Sequence, residues 1–374
     1  MNNQPDLFHF KEEEEKLDII EKISAIPKID LHRHLTGSLR FSTVIDIART
    51  NNLDLPYLGN DWTDEEVKNR VILNVSESQT GGRSLKKFIG RPWGILNRLL
   101  VNLETIERIA FELVEDASVE PLEYLEIRFS PYGLSTQYKS IPFDARGFME
   151  AIIKGINRAR ASHPSIEVKI ILSVPRHVVA DSSFANRERY FTEFIELMHE
   201  FRSHVVGADL TGVEEANGNH LNLFEPLFTD VKKSGFGVTI HSGEISSSNE
   251  VWTAVEILHA DRIGHGIRSI EDKDLINYLS KNNIALEICP SSNLLTGAVE
   301  NIKHHPAFDL YEQGAPITFN TDNTLVCNTN INHEYELMIL NYDFSYEDVM
   351  NIMTASKKYR FSNNPTANGD LSAN

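Results

Sequence analysis

Three separate stretches of the sequence carry side chains that are typical metal ligands. In the first, Lys28-Ile-Asp-Leu-His-Arg-His34, the residues His32 and His34 are two positions apart. Residues two apart point to the same side of a β-strand, so both imidazoles would project together. His241 and Asp322 each follow a further short apolar run. Three imidazoles and one carboxylate form a nitrogen-rich set that suits a single zinc ion and leaves room for a water molecule.

A carboxyl group that could transfer a proton stands close to the third histidine. The stretch Phe236-Gly-Val-Thr-Ile-His-Ser-Gly-Glu244 begins with a short run rich in β-branched residues, which favours a buried strand over a helix. His241 and Glu244 would then lie at the carboxyl end of that strand. A single His-x-x-Glu is weak evidence, because a backbone carbonyl often satisfies a histidine at a strand end. The prediction of a site therefore depends on the elements that bring the separate stretches together.

Eight short runs of the sequence have the character of strands. They begin near residues 28, 122, 167, 204, 236, 261, 284 and 316. Helical patterns separate the later runs, and this alternation favours an α/β protein with a closed, parallel (β/α)8 TIM barrel over an open doubly wound sheet. No glycine-rich phosphate loop follows the first run, which counts against a nucleotide-cofactor fold. Barrels of this kind build their active sites at the carboxyl ends of the strands, so His32, His34, His241 and Asp322 would share one rim.

The sequence predicts a single barrel domain that covers residues 28–361. Residues 1–27 are predicted as an N-terminal helical extension, and residues 362–374, rich in Asn, Ser, Gly and Pro, as a disordered tail. Residues 36–121 are far longer than an ordinary crossover and are predicted as an inserted helical segment. Because this segment directly follows the first strand, we expect it to form a lid or a pocket wall over that strand's carboxyl end. An insertion without any function would give the same pattern.

The composition of the 374-residue chain excludes several classes of partner. Lys and Arg number 36 against 54 Asp and Glu, and the formal net charge of −18 opposes binding to nucleic acid or to an anionic membrane surface. Cys289 and Cys327 are the only cysteines, too few for a disulfide framework. Neither a signal peptide nor an apolar run of membrane-spanning length is recognisable, so we expect a soluble, cytoplasmic protein with a small-molecule partner. The sequence carries no signal of the oligomeric state.

Seven ordered motifs give the chain a more specific resemblance. They are Pro27-Lys-Ile-Asp-Leu-His-Arg-His-Leu-Thr-Gly-Ser38, Tyr124-Leu-Glu-Ile-Arg-Phe-Ser-Pro131, Asp209-Leu-Thr-Gly212, His241-Ser-Gly-Glu244, Arg262-Ile-Gly-His-Gly266, Cys289-Pro-Ser-Ser-Asn293 and Asn320-Thr-Asp-Asn323. In this order they resemble the adenosine and AMP deaminase family, and most of all its adenosine deaminase branch. The resemblance implies hydrolytic deamination of the 6-amino group of a purine nucleoside, most simply of adenosine or 2′-deoxyadenosine, with one zinc ion per chain.

The resemblance also implies a role for individual residues. It assigns the zinc ion to the four residues named above, the donation of a proton to the purine ring to Glu244, and assistance to the attacking water to His265. Gly212 would contact the purine through its backbone. Other members of the motifs are expected to support the site, and these are Arg262, Glu287 and Ser291. Two alternatives stay open: Glu244 could be the hydrogen-bond partner of a ligating histidine, and His265 could be a further ligand.

The chemistry itself asks for these residue types. Attack of water on an aromatic carbon at neutral pH needs a hydroxide, and zinc lowers the pKa of its bound water to about 7. The attack moves charge towards N1 of the purine, where a protonated carboxyl group would stabilise it. Glu244 would therefore need a raised pKa, which a closed and partly apolar pocket provides.

Two positions depart from the commonest pattern of the resembled family. Thr36 stands where many relatives carry an acidic residue that binds the ribose 5′-hydroxyl, and the missing charge would no longer repel a 5′-phosphate. Asn323 stands where a second aspartate often follows the metal ligand, and its amide can donate a hydrogen bond to purine N7 at any pH. A 5′-modified adenosine or an N6-substituted nucleotide such as N6-methyl-AMP is therefore an alternative substrate.

Two other functions are compatible with a barrel of this kind. The first is another single-metal hydrolase that acts on an amide, a lactone or a different aminated heterocycle. The second is a non-catalytic binding protein, for which a missing ligand or the loss of Glu244 would be expected, and neither occurs here. Zinc deaminases of the cytidine type are excluded because their His-x-Glu and Pro-Cys-x-x-Cys motifs are absent.

Overall fold

Eight parallel strands form one sheet, in which each strand is hydrogen-bonded to the next along the chain. The strands are β1 (Lys28–His34), β2 (Leu122–Phe129), β3 (Glu167–Pro175), β4 (Val205–Thr211), β5 (Gly237–Ser242), β6 (Arg262–His265), β7 (Ala285–Ile288) and β8 (Ile317–Phe319). This order, with helices between the strands, confirms the predicted (β/α)8 TIM barrel. The computed structural model describes residues 7–56, 58–59, 61–73, 85–131, 144–177, 184–214 and 221–362.

The barrel closes where β8 meets β1, and the contact there is short. A parallel bridge joins Arg33 to Asp322, just beyond the last residue of β8. The eighth run, predicted to begin near residue 316, contains a strand of three residues, Ile317–Phe319. Regular pairing with β7 ends at Phe319, and Asp322 beyond it has a left-handed backbone, with a φ of 60°. The segment after β8 therefore turns back across the rim of the barrel.

Helices precede and follow the strands. They are α1 (Leu7–Ser24), α2 (Phe41–Thr50), α3 (Asp64–Val71), α4 (Leu85–Leu96), α5 (Leu103–Val119), α6 (Ala145–Ser162), α7 (Phe184–Glu200), α8 (Glu225–Lys233), α9 (Ser248–Glu256), α10 (Lys273–Lys281), α11 (Pro290–Thr296), α12 (Ala307–Glu312), α13 (Ile331–Asn341) and α14 (Tyr346–Ser356). Within the described residues, none of these helices is both long and apolar enough to cross a membrane.

The segment between β1 and β2 contains the helices α2 to α5. It corresponds to the insertion predicted over residues 36–121, of which residues 57, 60 and 74–84 lie outside the described part. Helix α5 begins after Asn102, whose side chain accepts a hydrogen bond of 2.8 Å from the backbone N–H of Thr105. The apolar side chains on one face of this helix, from Ile106 to Ala117, are buried. The helical character predicted for this segment is therefore present.

Helix α5 packs closely against α6, the helix that follows β2. Gly155 of α6 makes this possible, since a Cβ there would lie only 2.3 Å from the carbonyl oxygen of Glu107. At the amino terminus, α1 is the helix predicted before Pro27, and it packs against α13. The tail predicted to be disordered falls, from residue 363 onwards, outside the described residues.

Candidate metal centre and active site

The four residues predicted as metal ligands come together at the carboxyl rim of the barrel. The Nε2 atom of His241 lies 3.0 Å from Nε2 of His32 and 3.2 Å from Nε2 of His34. Oδ1 of Asp322 lies 3.3 Å from Nε2 of His34 and 3.7 Å from Nε2 of His32. Donor atoms from β1, β5 and the segment after β8 therefore face one common space.

Two carboxylates determine which nitrogen of each histidine faces this space. Oε2 of Glu287 lies 2.7 Å from Nδ1 of His32, and Oδ1 of Asp209 lies 2.8 Å from Nδ1 of His241. An ionised carboxylate can only accept, so each Nδ1 carries the hydrogen and each Nε2 presents a lone pair. Two lone pairs that are 3.0 Å apart repel each other unless a positive charge lies between them. The orientation of the two rings thus favours a bound cation.

The spacing of the four groups, and the neutral state of the two histidines of β1, fit zinc. Zinc–nitrogen bonds of about 2.0–2.1 Å at tetrahedral angles would separate the ligand atoms by about 3.4 Å. Of the six pairs of ligand atoms, the four whose separations are given above, from 3.0 Å to 3.7 Å, lie on both sides of that value. Burial lowers the pKa of His32 and of His34 well below the ordinary value, which keeps both imidazoles in the neutral form that binds metals.

Asp322 reaches the metal centre from a strained backbone conformation. Its φ of 60° is uncommon for a residue with a side chain. Two backbone hydrogen bonds hold it: the N–H of Asp322 donates to the carbonyl of His32, and the N–H of His34 donates to the carbonyl of Asp322, both at 2.7 Å. The carboxylate is therefore fixed in position beside the two histidines of β1.

The amide of Asn323 lies next to this carboxylate. Its Nδ2 donates a hydrogen bond of 2.6 Å to Oδ1 of Asp322, and its Oδ1 is buried without a partner among the described residues. Gly37 lies so close that a Cβ there would be 1.8 Å from Oδ1 of Asn323. One of the two amide hydrogens is used by Asp322, so the second remains available to a ligand. Glycine at position 37 leaves room for this orientation.

Glu244 is buried at the edge of the same space. Its Oε1 accepts hydrogen bonds from the hydroxyl of Thr296 at 2.8 Å and from Nδ2 of Asn293 at 3.1 Å. Burial, together with the negative charge of Glu214, raises the pKa of Glu244 to about 7. A substantial fraction of this carboxyl group is therefore protonated at neutral pH. No described histidine of the ligand set is hydrogen-bonded to Glu244, which argues against its alternative role as their partner.

The loop that carries Glu244 is held by a second carboxylate. Glu214 accepts hydrogen bonds from three successive backbone N–H groups, those of Glu244, Ile245 and Ser246, at 2.7–3.0 Å. These contacts keep a negative charge beside Glu244 and fix its backbone at the same time. Glu214 therefore fixes the backbone of Glu244 and also contributes, after burial, to the raised pKa of its carboxyl group.

His265, at the end of β6, lies between the metal centre and Glu244. Its Nε2 is 3.8 Å from Oε2 of Glu244, and its ring lies 5.0 Å from the ring of His32 and 5.4 Å from that of His241. Its φ of 61° is left-handed, like that of Asp322. On the other side of the ring, Nδ1 lies 3.1 Å from Nδ2 of Asn293.

A cavity of about 380 Å³ opens over these groups, and its size suits a small ligand. Three predicted substrate contacts, Thr36, Gly212 and Asn323, line it, as do Glu244 and His265. Gly212 has a φ of 118°, a conformation that disfavours any side chain. The inserted segment contributes four further lining residues, which are Gly90, Trp93, Gly94 and Asn97. That segment thus forms one wall of the cavity, while its closure as a lid stays a prediction.

Charged residues behind the ligands form a buried network around Glu287. Its Oε2 accepts from Arg128 at 2.8 Å, and its Oε1 accepts from Thr239 at 2.9 Å and from Arg262 at 2.6 Å. Although burial opposes ionisation, the two arginines hold the pKa of Glu287 at about 2. Arg262 and Glu287 therefore support the site from behind, as predicted, and Ser291 is tied through its backbone N–H to Glu334 at 2.9 Å.

Sequence reasoning assigned no role to three residues that contact the site. Asp209 orients His241, while Asn293 and Thr296 contact Glu244. Asp209 and Asn293 lie inside motifs that were recognised, so their position at the end of a strand or the start of a helix was a usable signal. Thr296 lies three residues beyond Asn293 and therefore shares its face of α11. This proximity could be predicted only if the helix were known.

Comparisons with known proteins agree on one family. The model of the adenosine deaminase family matches residues 27–371. An adenosine deaminase of Photorhabdus laumondii is 36% identical over 313 residues, which are 83% of this chain and 86% of that protein. One from Clostridium perfringens is 33% identical over 337 residues, with 90% and 94% of the two chains covered. The solved structure of the N6-methyl-AMP deaminase from Arabidopsis thaliana is 27% identical, with a TM-score of 0.74, and covers 93% of this chain and 96% of that chain.

Proposed function

The chain belongs to the adenosine deaminase family and is a hydrolytic deaminase of purines, and from this premise we propose that it converts adenosine and 2′-deoxyadenosine to the corresponding inosines. Water adds at C6 of the purine, and the 6-amino group leaves as ammonia. The observation that carries the proposal is the position of Glu244, whose pKa is raised to about 7, beside a set of possible metal ligands at one cavity.

The metal ligands of the proposal are His32, His34, His241 and Asp322. Their donor atoms are separated by distances that fit zinc, and the two Nε2 lone pairs of His32 and His241 face each other across 3.0 Å. A bound zinc ion would supply hydroxide at neutral pH, because it lowers the pKa of its water to about 7. Asp209 and Glu287 keep the two histidines in the required tautomer.

Glu244 is proposed as the acid that protonates N1 of the purine. Addition of oxygen at C6 moves electron density towards N1, so a proton delivered there stabilises the transition state. Oε1 of Glu244 is occupied by Thr296 and Asn293, and Oε2 is therefore the oxygen that can carry the proton. Burial keeps that proton in place near neutral pH, since it raises the pKa to about 7.

The remaining groups position water and substrate. His265 stands 3.8 Å from Oε2 of Glu244 and is proposed to orient the attacking water. The backbone of Gly212 and the free amide hydrogen of Asn323 are proposed to contact the purine, and Thr36 the ribose 5′-hydroxyl. The full ligand set together with Glu244 makes a non-catalytic binding role the weaker hypothesis.

A second candidate substrate is a 5′-phosphorylated, N6-substituted adenosine. Thr36 favours it because no carboxylate stands at that position to repel a phosphate, and the solved relative from Arabidopsis acts on N6-methyl-AMP. A phosphate is commonly bound by Arg or Lys. Among the described residues that line the cavity, Arg128 is the one Arg or Lys, and Glu287 and Asp209 already pair with it. The unphosphorylated nucleoside is therefore our first choice.

A panel of substrates tests the proposal. Adenosine, 2′-deoxyadenosine, 5′-methylthioadenosine, AMP, N6-methyl-AMP and adenine are incubated with the zinc-loaded enzyme, and the products are separated by chromatography. We expect the highest kcat/KM with the two unmodified nucleosides. If only the 5′-modified compounds were turned over, the proposed substrate would be wrong, whereas the proposed mechanism would remain. Removal of the metal with a chelator should abolish turnover, and zinc should restore it.

A further inference from the structure

A chain of hydrogen bonds runs from the first residue of α12, through Asn293 of α11, to His265. The backbone N–H of Ala307 donates to Nδ1 of His305 at 3.2 Å. Nε2 of His305 lies 3.2 Å from Oδ1 of Asn293, and Nδ2 of Asn293 lies 3.1 Å from Nδ1 of His265. His265, Asn293 and His305 are all buried, so bulk water does not compete for these contacts.

The direction of each hydrogen bond in this chain follows from its first member. A backbone N–H can only donate, so Nδ1 of His305 must accept. Burial lowers the pKa of His305 to about 3, and the neutral ring then carries its single hydrogen on Nε2. That hydrogen has to be donated to Asn293, which fixes the oxygen of the amide towards His305. The NH₂ group of Asn293 consequently points to the opposite side.

Both hydrogens of the Asn293 amide have acceptors on that opposite side. One is Oε1 of Glu244 at 3.1 Å, and the other is Nδ1 of His265 at 3.1 Å. Nδ1 of His265 is thus an acceptor and carries no hydrogen. A neutral His265 then bears its hydrogen on Nε2, the nitrogen that faces Glu244 and the metal centre.

We propose that Asn293, oriented by His305, is a positioning residue that holds His265 in the Nε2–H tautomer. His265 then donates a hydrogen bond to the attacking water. It neither binds the metal nor removes the proton of that water. An Nε2 that carries hydrogen has no lone pair for a metal or for a proton. The opposite tautomer would place an N–H of His265 against the NH₂ group of Asn293, where two donors would face each other. The role towards water rests on the proposed function, whereas the tautomer does not depend on it.

The tautomer can be measured directly in the zinc-loaded enzyme. The protein is prepared with ¹⁵N-labelled histidine, and long-range ¹H–¹⁵N correlations show which nitrogen of each ring carries hydrogen. The signals of His265 are identified by their loss in His265→Gln. We expect a protonated Nε2 and an unprotonated Nδ1. A hydrogen on Nδ1, or on both nitrogens, would overturn the proposal even if the enzyme is a fully active adenosine deaminase.

Two substitutions of His305 separate orientation from packing. His305→Phe keeps an aromatic ring but cannot donate, so Asn293 is free to rotate and His265 should show a mixture of tautomers with a kcat reduced by about tenfold or more. His305→Gln retains a donor towards Asn293 and should restore the single tautomer and most of the kcat. Equal spectra and equal kcat values for the two variants would contradict the orienting role of His305.

Asn293→Asp provides the complementary test. An aspartate at this position can only accept, so Nδ1 of His265 should gain the hydrogen, and kcat should fall by about 100-fold or more while KM changes less. Asn249→Asp, which makes the same replacement at an exposed position of α9, is the control and should behave as the wild type. An Asn293→Asp enzyme that keeps the Nε2–H tautomer at about pH 8 would refute the proposed lock.

Discussion

Asp209 on β4 and His241 on β5 are joined by a 2.8 Å hydrogen bond between Oδ1 and Nδ1. The two residues are far apart in the sequence, but their strands are neighbours in the barrel. Because Nδ1 donates its hydrogen to this bond, the lone pair of Nε2 faces the proposed metal site. A residue outside the proposed ligand set thus determines which nitrogen of a proposed ligand faces the site.

Replacement of Asp209 by Asn should weaken zinc binding. The amide keeps the size of the side chain but loses the negative charge, and comparable changes beside ligating histidines cost about 10-fold to 100-fold in metal affinity. The affinity is measured by competition with a zinc-binding dye. Asp309→Asn, at an exposed position of α12, is the control. An unchanged zinc affinity in Asp209→Asn would show that His241 needs no such partner.

Glu244→Gln should retain the metal and lose turnover. The amide preserves the shape of the side chain but has no acidic proton for N1, and general acid catalysis contributes about 100-fold to 10,000-fold in rate. Zinc content is measured by atomic absorption and kcat with adenosine. Glu256→Gln, exposed on α9, should match the wild type in both. An active Glu244→Gln enzyme would remove the proposed proton donor.

The pH dependence of kcat/KM should reflect Glu244. Its raised pKa of about 7 means that the protonated, active form prevails below this pH and is lost as the pH rises through it. Glu214→Gln removes the neighbouring negative charge, so the pKa should fall and the alkaline limb should move to lower pH. Profiles are recorded from about pH 5 to about pH 9. Glu312→Gln, at an exposed position, is the control. An alkaline limb that has the same position in Glu214→Gln as in the wild type would contradict the coupling of the two carboxylates.

Gly37→Ala should disturb substrate binding through Asn323. A Cβ at position 37 would lie 1.8 Å from Oδ1 of Asn323, so the amide has to move. Overpacking of this kind costs about 1–3 kcal/mol, and we expect kcat/KM for adenosine to fall by about tenfold or more. Gly59→Ala is a matched control, since a Cβ there has no atom within 4 Å. Equal kinetics of both variants would show that the orientation of Asn323 is unimportant.

Arg262→Gln should destabilise the protein. The guanidinium of Arg262 pairs with Glu126 and Glu287 inside the barrel and stacks 3.7 Å from the ring of Phe361. Loss of one partner leaves buried carboxylates uncompensated, which costs about 3–5 kcal/mol. The free energy of unfolding is measured in urea, and Arg189→Gln on the exposed side of α7 is the control. A loss below about 1 kcal/mol would mean that Arg128 alone compensates Glu287.

The barrel fold and the proposed metal ligands could be predicted from the sequence, whereas the contacts around these ligands could not. The apolar, β-branched residues of runs such as Gly237–Ser242 predict strands. Eight such runs in alternation with helices predict the barrel. The barrel rule then places His32, His34, His241 and Asp322 on one rim without further information.

Contacts between strands were harder to predict because spacing along the chain does not encode them. Nothing near residue 241 indicates that its partner is Asp209, and nothing near residue 265 indicates Asn293 and His305 behind it. The shortness of β8 also had no signal, since the left-handed backbone of Asp322 depends on hydrogen bonds from β1. These features arise from tertiary packing, in which one residue satisfies another that is remote in sequence.

The short contact between β8 and β1 has a consequence for the synthesis of the protein. During synthesis His32 and His34 leave the ribosome nearly three hundred residues before Asp322 does. The four ligands can therefore meet only after the last strand has docked beside the first. Uptake of the ion is thus expected as one of the final events of maturation, and a nascent chain interrupted before residue 322 would lack the complete set.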